Sequence, residues 1–211
     1  MEPKETKTRL LDAAEHLFAE NGYHGTSLRM ITTAAGANLA AVNYHFGSKE
    51  ALIEAVIERR LLPLNRLRTE RLQALLADAD NRAAAPDLRQ TLAAFIEPTL
   101  SFRHAGPGNR DFIALIARAM ADPNDTARNI FISRVLPVFK LWHQCLSQAL
   151  PQLDAKTLSW RLHFAIGALS HIMHNLDKLP PADAMPPAAD SAREITEMLL
   201  SFLCPGMEAP Q

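Results

Sequence analysis

The sequence predicts an all-α protein, in which an N-terminal three-helix unit containing a helix-turn-helix is followed by a larger helical region. Three observations carry this. Nearly every apolar pattern in the 211 residues recurs at three to four positions rather than two, Gly, Pro and Asn clusters cut the chain at helical intervals, and no alternating run of strand length intervenes. A chain of this length buries roughly 70% of the surface its unfolded form exposes, so a core needs no disulfide or metal staple.

Leu10, Ala14, Leu17 and Phe18 fall at i, i+4, i+7 and i+8, predicting a first helix over about residues 5–21 that Asn21 and Gly22 stop. Gly25, Thr26 and Ser27 read as a turn and N-cap, and Leu28, Ile31 and Ala35 space a short second helix ending at Gly36. Asn38 caps a third, with Leu39, Val42 and Phe46 as its apolar positions; Gly47 and Ser48 end it and cap a fourth. The fourth carries Leu52, Ile53, Val56 and Ile57 to Leu62, where Pro63 predicts a kink or restart. Leu64, Leu67, Leu72, Leu75 and Leu76 then resume the stripe to about residue 78, before a loop over 79–86.

Four more helical patterns cover about residues 87–102, 110–121, 125–150 and 154–176, with Pro98 and Pro137 expected to kink two of them. The 154–176 pattern has the widest stripe, Leu158, Leu162, Ala165, Ile166, Leu169, Ile172, Met173 and Leu176, wide enough for burial on more than one side. A proline-rich loop over 179–187 leads to a last helix of about 190–203, with Ile195, Leu199 and Phe202 on one face.

Bulk composition narrows the function. With 22 basic and 23 acidic residues the net charge is -1, and within the first sixty residues Lys4, Lys7, Arg9, Arg29, Lys49, Arg59 and Arg60 are slightly outnumbered by acids. Binding to nucleic acid through a general basic coat is therefore excluded, and any such binding must use a few aimed contacts and helix N-termini. No apolar stretch approaches the ~20 residues a membrane span needs, and the N-terminus lacks the apolar segment of a secretory signal. Cys145 and Cys204 are too few and too far apart to suggest a disulfide framework, and read as buried thiols of a cytoplasmic protein.

The informative run is TSLRMITTAAGANLAAVNYHFGSKEAL, residues 26–52. A short helix, a Gly-containing turn and a second short helix can lay one helix in the major groove while the other braces it on the backbone. Asn43, Tyr44 and His45 near the end of the third helix, with Ser48 and Lys49 after it, supply polar groups suited to phosphate oxygens, and Asn43 can pair with an adenine edge. Tyr44 as a half-buried aromatic and Asn43 as an ordinary surface residue are the bland alternatives; their position beside Lys49 favours contact. The candidate DNA-contacting set is Thr26, Ser27, Arg29, Thr33, Asn38, Leu39, Ala40, Asn43, Tyr44, His45 and Lys49. Val42, Ile31, Leu28 and Phe46 are core residues on any reading, and Arg59 and Arg60 read as a solvated face.

With Thr26, Ile31, Ala35, Gly36, Tyr44, His45, Phe46, Lys49 and Glu50 in place, the run resembles the DNA-binding domain of the TetR family of bacterial transcription regulators, over about residues 8–56. Thr32 and Ala37 depart from the family's usual alanine and valine, affecting helix packing but no DNA contact. The stretch NLAAVNYHFGSKEAL is also similar to fatty-acid-responsive members. The resemblance implies a subunit of about nine helices: a DNA-binding domain over 1–50, and a domain over 51–211 that binds an effector and makes a homodimer through its last two long helices. It further implies a double-stranded, palindromic operator and a ligand that draws the dimer off it, repression being the family's commoner mode.

The region from 60 to 176 is rich in Phe, Trp, Leu and Met, with proline interruptions. An apolar or amphipathic effector, such as a fatty acid or acyl thioester, is the expectation, with Phe95, Phe102, Phe131, Phe139 and Trp142 as candidate lining residues. Most of these aromatics also fit plain core. His143, His163, His171 and His174 lack carboxylate or cysteine partners at metal-ligand spacing, so no metal or cofactor is expected. An enzyme is disfavoured: no Glu has a His three residues later, as a di-iron bundle needs, and no GxSxG, HExxH, Walker loop, GxGxxG or CxxC occurs. A helical adaptor that binds no DNA is the remaining rival.

Overall fold

A computed structural model describes residues 3–175 and 191–210, and among these the chain forms nine helices and no strand. The predicted loop over 179–187 and Leu176 lie outside the described residues. Helix α1 (Pro3–Gly25) is longer than its spacing predicts, but its regular part ends where expected, because Gly22 leaves helical geometry at φ 74°, ψ 173°. Helices α2 (Leu28–Ala34) and α3 (Leu39–His45) are each held at the start by the predicted cap. Ser27 Oγ accepts from Met30 N at 3.2 Å and Asn38 Oδ1 from Ala41 N at 2.9 Å, each satisfying an amide that the first helical turn leaves unpaired. Between them Gly36 takes φ 57°, the left-handed conformation that lets the chain reverse within two residues.

Helix α4 (Lys49–Arg82) runs on through Pro63 without a restart, and it corrects the predicted loop, which begins after Arg82 rather than at 79. Pro63 is exposed while Leu61 and Leu64 beside it are buried, so packing on both sides holds the turn that proline weakens. At the end Arg82 pairs with Asp78 one turn back at 2.6 Å, and Ala83 at φ 49° reverses the chain. Pro98 and Pro137 likewise lie inside continuous helices, α5 (Leu88–His104) and α7 (Thr126–Ala149), and Pro107 starts α6 (Pro107–Ala121). Side-chain caps recur at Asp87, Asp125, Asp154 and Ser191. The last two set the starts of α8 (Ala155–Asn175) and α9 (Ala192–Glu208).

Two compact units result: residues 1–63 with 106–135, and residues 64–105 with 136–211. The first contains the predicted three-helix head and joins to it the start of α4, α6 and the start of α7. Its core is Leu10, Ala14, Phe18, Ile31, Val42, Leu52, Ile53, Val56 and Ile57, all fully enclosed. Truncating one such large side chain to alanine costs ~2–5 kcal/mol, enough to lose the head's geometry. Helix α6 lies along α1, tied by Arg118 Nε to the Ala19 carbonyl at 3.3 Å and by His16 to Asp111 at 3.1 Å.

The second unit packs α5 against α9 and α8, with the later part of α4 and of α7 completing it. Its centre is Trp142, whose indole N–H donates to the Thr91 carbonyl at 2.8 Å, leaving no polar atom of the ring unsatisfied.

Candidate functional site

The third helix is built to show one face. Val42 is fully buried and fastens α3 to the core, whereas Leu39, Ala40, Asn43 and Tyr44, spaced three and four apart, are exposed together. Tyr44 is 80% exposed, and a large aromatic in water at a helix surface makes no contribution to packing. Its ring lies edge-on to His45, 4.9 Å between centroids, and His45 is half-buried against Phe46. On α2, Arg29 and Thr33 are exposed beside Met30.

Three members of the predicted contact set have structural work in the fold. Thr26 is 1% exposed, its hydroxyl 3.0 Å from the Leu17 carbonyl and 2.8 Å from that of Gly22, so it locks α1 to the start of α2. Ser27 and Asn38 are the caps described above. What these two fix is the start of each helix, where further backbone amides have no partner within the helix.

Lys49 is half-buried, its ammonium 4.3 Å from the centroid of the Tyr23 ring. Burial lowers the Lys49 pKa. Tyr23 is pushed the other way, by burial and by the carboxylates of Glu50 and Asp125. Lys7 covers the half-buried Phe46, 5.8 Å from its centroid. Tyr23 carried no sequence signal because its role depends on Lys49, 26 positions on.

Arg59 and Arg60 correct the sequence reading of a solvated face. Both reach Glu15, which is 2% exposed, and Arg59 also meets Asp12 at 2.6 Å. A buried carboxylate demands such partners, but nothing local in the sequence pairs α1 with α4.

In the second unit the structure brings together three of the five candidate lining residues. Phe95 stacks on Trp142 at 4.3 Å and an interplanar angle of 9°, and Phe139 meets Trp142 edge-on at 6.0 Å. Phe102 is half-buried on the last turn of α5, and Phe131 is half-buried in the first unit, on the early part of α7. Over the Phe95 ring sits the buried Arg68, its guanidinium 4.2 Å from the centroid, a residue that the sequence did not single out.

On helix α8, Leu158, Leu162, Ala165 and Leu169 of the predicted stripe are buried and Ile166, Ile172 and Met173 half-buried, while the large apolar residues left exposed are Trp160 and Phe164, with rings 5.9 Å apart. On α9, Ile195 and Leu199 are buried but Phe202, predicted to share their face, is 73% exposed, beside Met198. Arg161 of α8 donates to the Met207 carbonyl of α9 at 2.7 Å, joining the two helices. Among the described residues no group of His, Cys, Asp and Glu could hold a metal ion, and no helix is long and apolar enough to cross a membrane.

Comparison with known proteins agrees with this geometry at both ends of the chain. Residues 10–56 match the model of bacterial regulatory proteins of the tetR family, and residues 93–206 match that of the tetracyclin repressor-like C-terminal domain. The HTH-type transcriptional regulator UidR of Escherichia coli K12 is 43% identical over 56 residues, 26% of this chain and 29% of that protein. The HTH-type transcriptional repressor AcnR of Corynebacterium glutamicum is 37% identical over 54 residues, again 26% of this chain and 29% of that protein. These curated matches thus span less than a third of either relative. Whole-chain likeness is structural. FadR of Bacillus subtilis, solved in complex with stearoyl-CoA, superposes with a TM-score of 0.68 at 14% identity over 94% of this chain and 98% of that one. Salmonella enterica GusR does so at 0.64 and 22% identity, over 99% and 97%. Because the C-terminal model alone covers more than half the chain and the N-terminal model covers the head, this protein belongs to the tetR family of bacterial regulatory proteins.

Proposed function

We propose that the protein is a ligand-responsive, DNA-binding transcription regulator, a repressor released from a palindromic operator by a small effector. The observation that carries this is the outward face of α3, where Leu39, Ala40, Asn43 and Tyr44 have no packing role while Val42 fixes the helix beneath them. Asn43 reads a base edge, Tyr44 and His45 contact the backbone, and Arg29, Thr33 and Lys49 take phosphates. Thr26, Ser27 and Asn38 act by holding the helix starts whose amides face the phosphates. The family is one of regulatory proteins, not of enzymes.

Two subunits meet through α8 and α9. The support is the exposed pair Trp160 and Phe164 on one helix and Met198 and Phe202 on the other, an apolar surface of the kind that marks an interface. Isologous pairing gives two reading heads and hence a palindromic site. The domain division is that of the sequence reading, a DNA-binding head over 1–50 and an effector and dimer domain over 51–211, in a cytoplasmic protein. The effector has an apolar or amphipathic body and lies against Phe95, Phe139 and Trp142, with Phe102 as an outer candidate. A fatty acid or acyl thioester fits this chemistry, and the fold neighbour FadR was solved with stearoyl-CoA.

The experiment is operator binding by fluorescence anisotropy, using DNA flanking the protein's own gene, across a salt series. With Lys49, Arg29 and Lys7 or Arg9 in reach of phosphate on each subunit, log affinity should fall against log salt with a slope of roughly -4 to -7 for the dimer. A slope near zero, or no binding, would leave the adaptor reading in its place.

A further inference from the structure

Arg68 is anomalous among the arginines of this protein. It is 4% exposed, yet among the described residues no carboxylate pairs with it. Its Nη1 donates to Asn65 Oδ1 at 2.9 Å and its Nη2 to Thr99 Oγ1 at 2.6 Å, both uncharged acceptors. Its Nε, also buried, has no hydrogen-bond partner. The ring face of Phe95 attracts the cation without neutralising it. Arg59 and Arg60, by contrast, converge on Glu15, and Arg134 lies between Glu54 and Glu58. Burial without a counter-charge pushes the Arg68 guanidinium down to about 9.

An apolar residue of similar volume would serve the fold better, since an uncompensated buried charge destabilises the state that holds it. A counter-anion that arrives from outside reverses that sign. We propose that Arg68 anchors a carboxylate-bearing effector. The Nε–H, which no acceptor meets, is the donor left for a planar carboxylate, and the Phe95 ring is the apolar surface beside it. This rests on the reading of the second unit as the effector domain and narrows its ligand to an acid. Aliphatic and aromatic acids share the chemistry and are separated by the test.

The test uses the full-length protein and three acids, decanoate, 3-phenylpropionate and 2-naphthoate, each beside its neutral primary amide. Binding is read by calorimetry and by thermal shift, for the wild type and for Arg68→Met. The expected result is that at least one acid binds the wild type tenfold or more tightly than its amide and that R68M loses that preference. Without ligand, R68M should melt at the wild-type temperature or above, which a purely structural Arg68 would not allow. An amide that binds as well as its acid, an R68M that keeps the preference, or a wild type that binds none of the acids overturns the proposal. An R68M that fails to fold overturns it as well, and Arg68→Lys is a second check: it keeps the charge but not the fork, and undiminished acid preference there is equally fatal. Operator binding is measured separately without ligand. Failure of that arm alone removes the regulator reading and leaves acid recognition by Arg68 standing.

Discussion

Glu15 on α1 receives Arg60 of α4 in a two-pronged ion pair, Nε to Oε1 and Nη2 to Oε2, each at 2.8 Å. The pair ties the first helix of the head to the helix that follows the reading helix. Hydrogen bonding to Glu15 raises the Arg60 pKa against the opposing effect of burial, so the charge is held. Gly108, at the start of α6, leaves the space that the Arg60 head fills, and a Cβ there would collide with Nη2. Glu15→Ala strands Arg59 and Arg60, but both are partly exposed and can turn to water. The expected loss is therefore about 2 kcal/mol rather than the full cost of an orphaned buried charge. In a chain of this size that is a fall in Tm of roughly 4–8 °C by calorimetry. Gly108→Ala and Arg60→Ala should couple, because once Arg60 is truncated the added methyl meets only Glu15 Oε2 at 3.7 Å, an ordinary contact; strict additivity in the double mutant would show that the clamp does not exist.

For the reading helix the expected signature is lost affinity at unchanged stability. Asn43→Ala and Tyr44→Ala remove side chains that touch water in the free protein, so Tm should stay within about 1 °C, as is usual for surface substitutions. Operator affinity should fall by ~1–3 kcal/mol for Asn43→Ala, with relaxed preference at one base position, if it reads a base edge. Thr26→Val is the contrast: it should lower Tm, since it removes a buried hydroxyl and leaves the Leu17 and Gly22 carbonyls short of a donor. Equal behaviour of all three variants would dissolve the division between contact and scaffold residues.

The exposed apolar residues of α8 and α9 give a test of assembly that distinguishes interface from core. Phe164→Glu, at a position 64% exposed in the subunit, is expected to yield a folded monomer by sedimentation. Leu169→Glu, at a position 4% exposed within the subunit, should instead lower helicity, because its carboxylate would be buried unpaired in the subunit's own core. Dimers of unaltered affinity from Phe164→Glu would move the interface elsewhere.

Cys145 sets a pH dependence. It is fully buried, its thiol 3.9 Å from the Leu72 carbonyl, and burial raises its pKa from 9.0 to about 11. The unfolded thiol ionises first, so the protonated form favoured by the fold contributes fully below pH 9.0, and that contribution is lost as pH rises towards about 11. Cys145→Ala should remove this fall. The difference in Tm between wild type and variant, followed from pH 8 to pH 10.5, should shift against the wild type, and parallel curves would rule the thiol out.

The sequence by itself determined what is local. Apolar spacing and caps such as Ser27, Asn38 and Asp154 specify each helix within a few residues, because a helix's bonds and orphan amides lie within four positions of one another. The helix-turn-helix was legible for the same reason, as were the exposed Asn43 and Tyr44 between core positions. Only the tertiary structure decided what each face meets. That α8 turns Leu169 inward and leaves Phe164 exposed is decided by α5 and α9 packing against it. Pro63 could have broken α4, but burial of Leu61 and Leu64 holds the helix through it. Arg60 and Arg68 lie eight positions apart on that helix, and no sequence pattern separates them. One finds a carboxylate on α1, 45 residues away, and the other finds only Asn65, Thr99 and an aromatic ring. A charge is fixed by its residue type, but its partner and its dielectric surroundings are set by the elements folded around it.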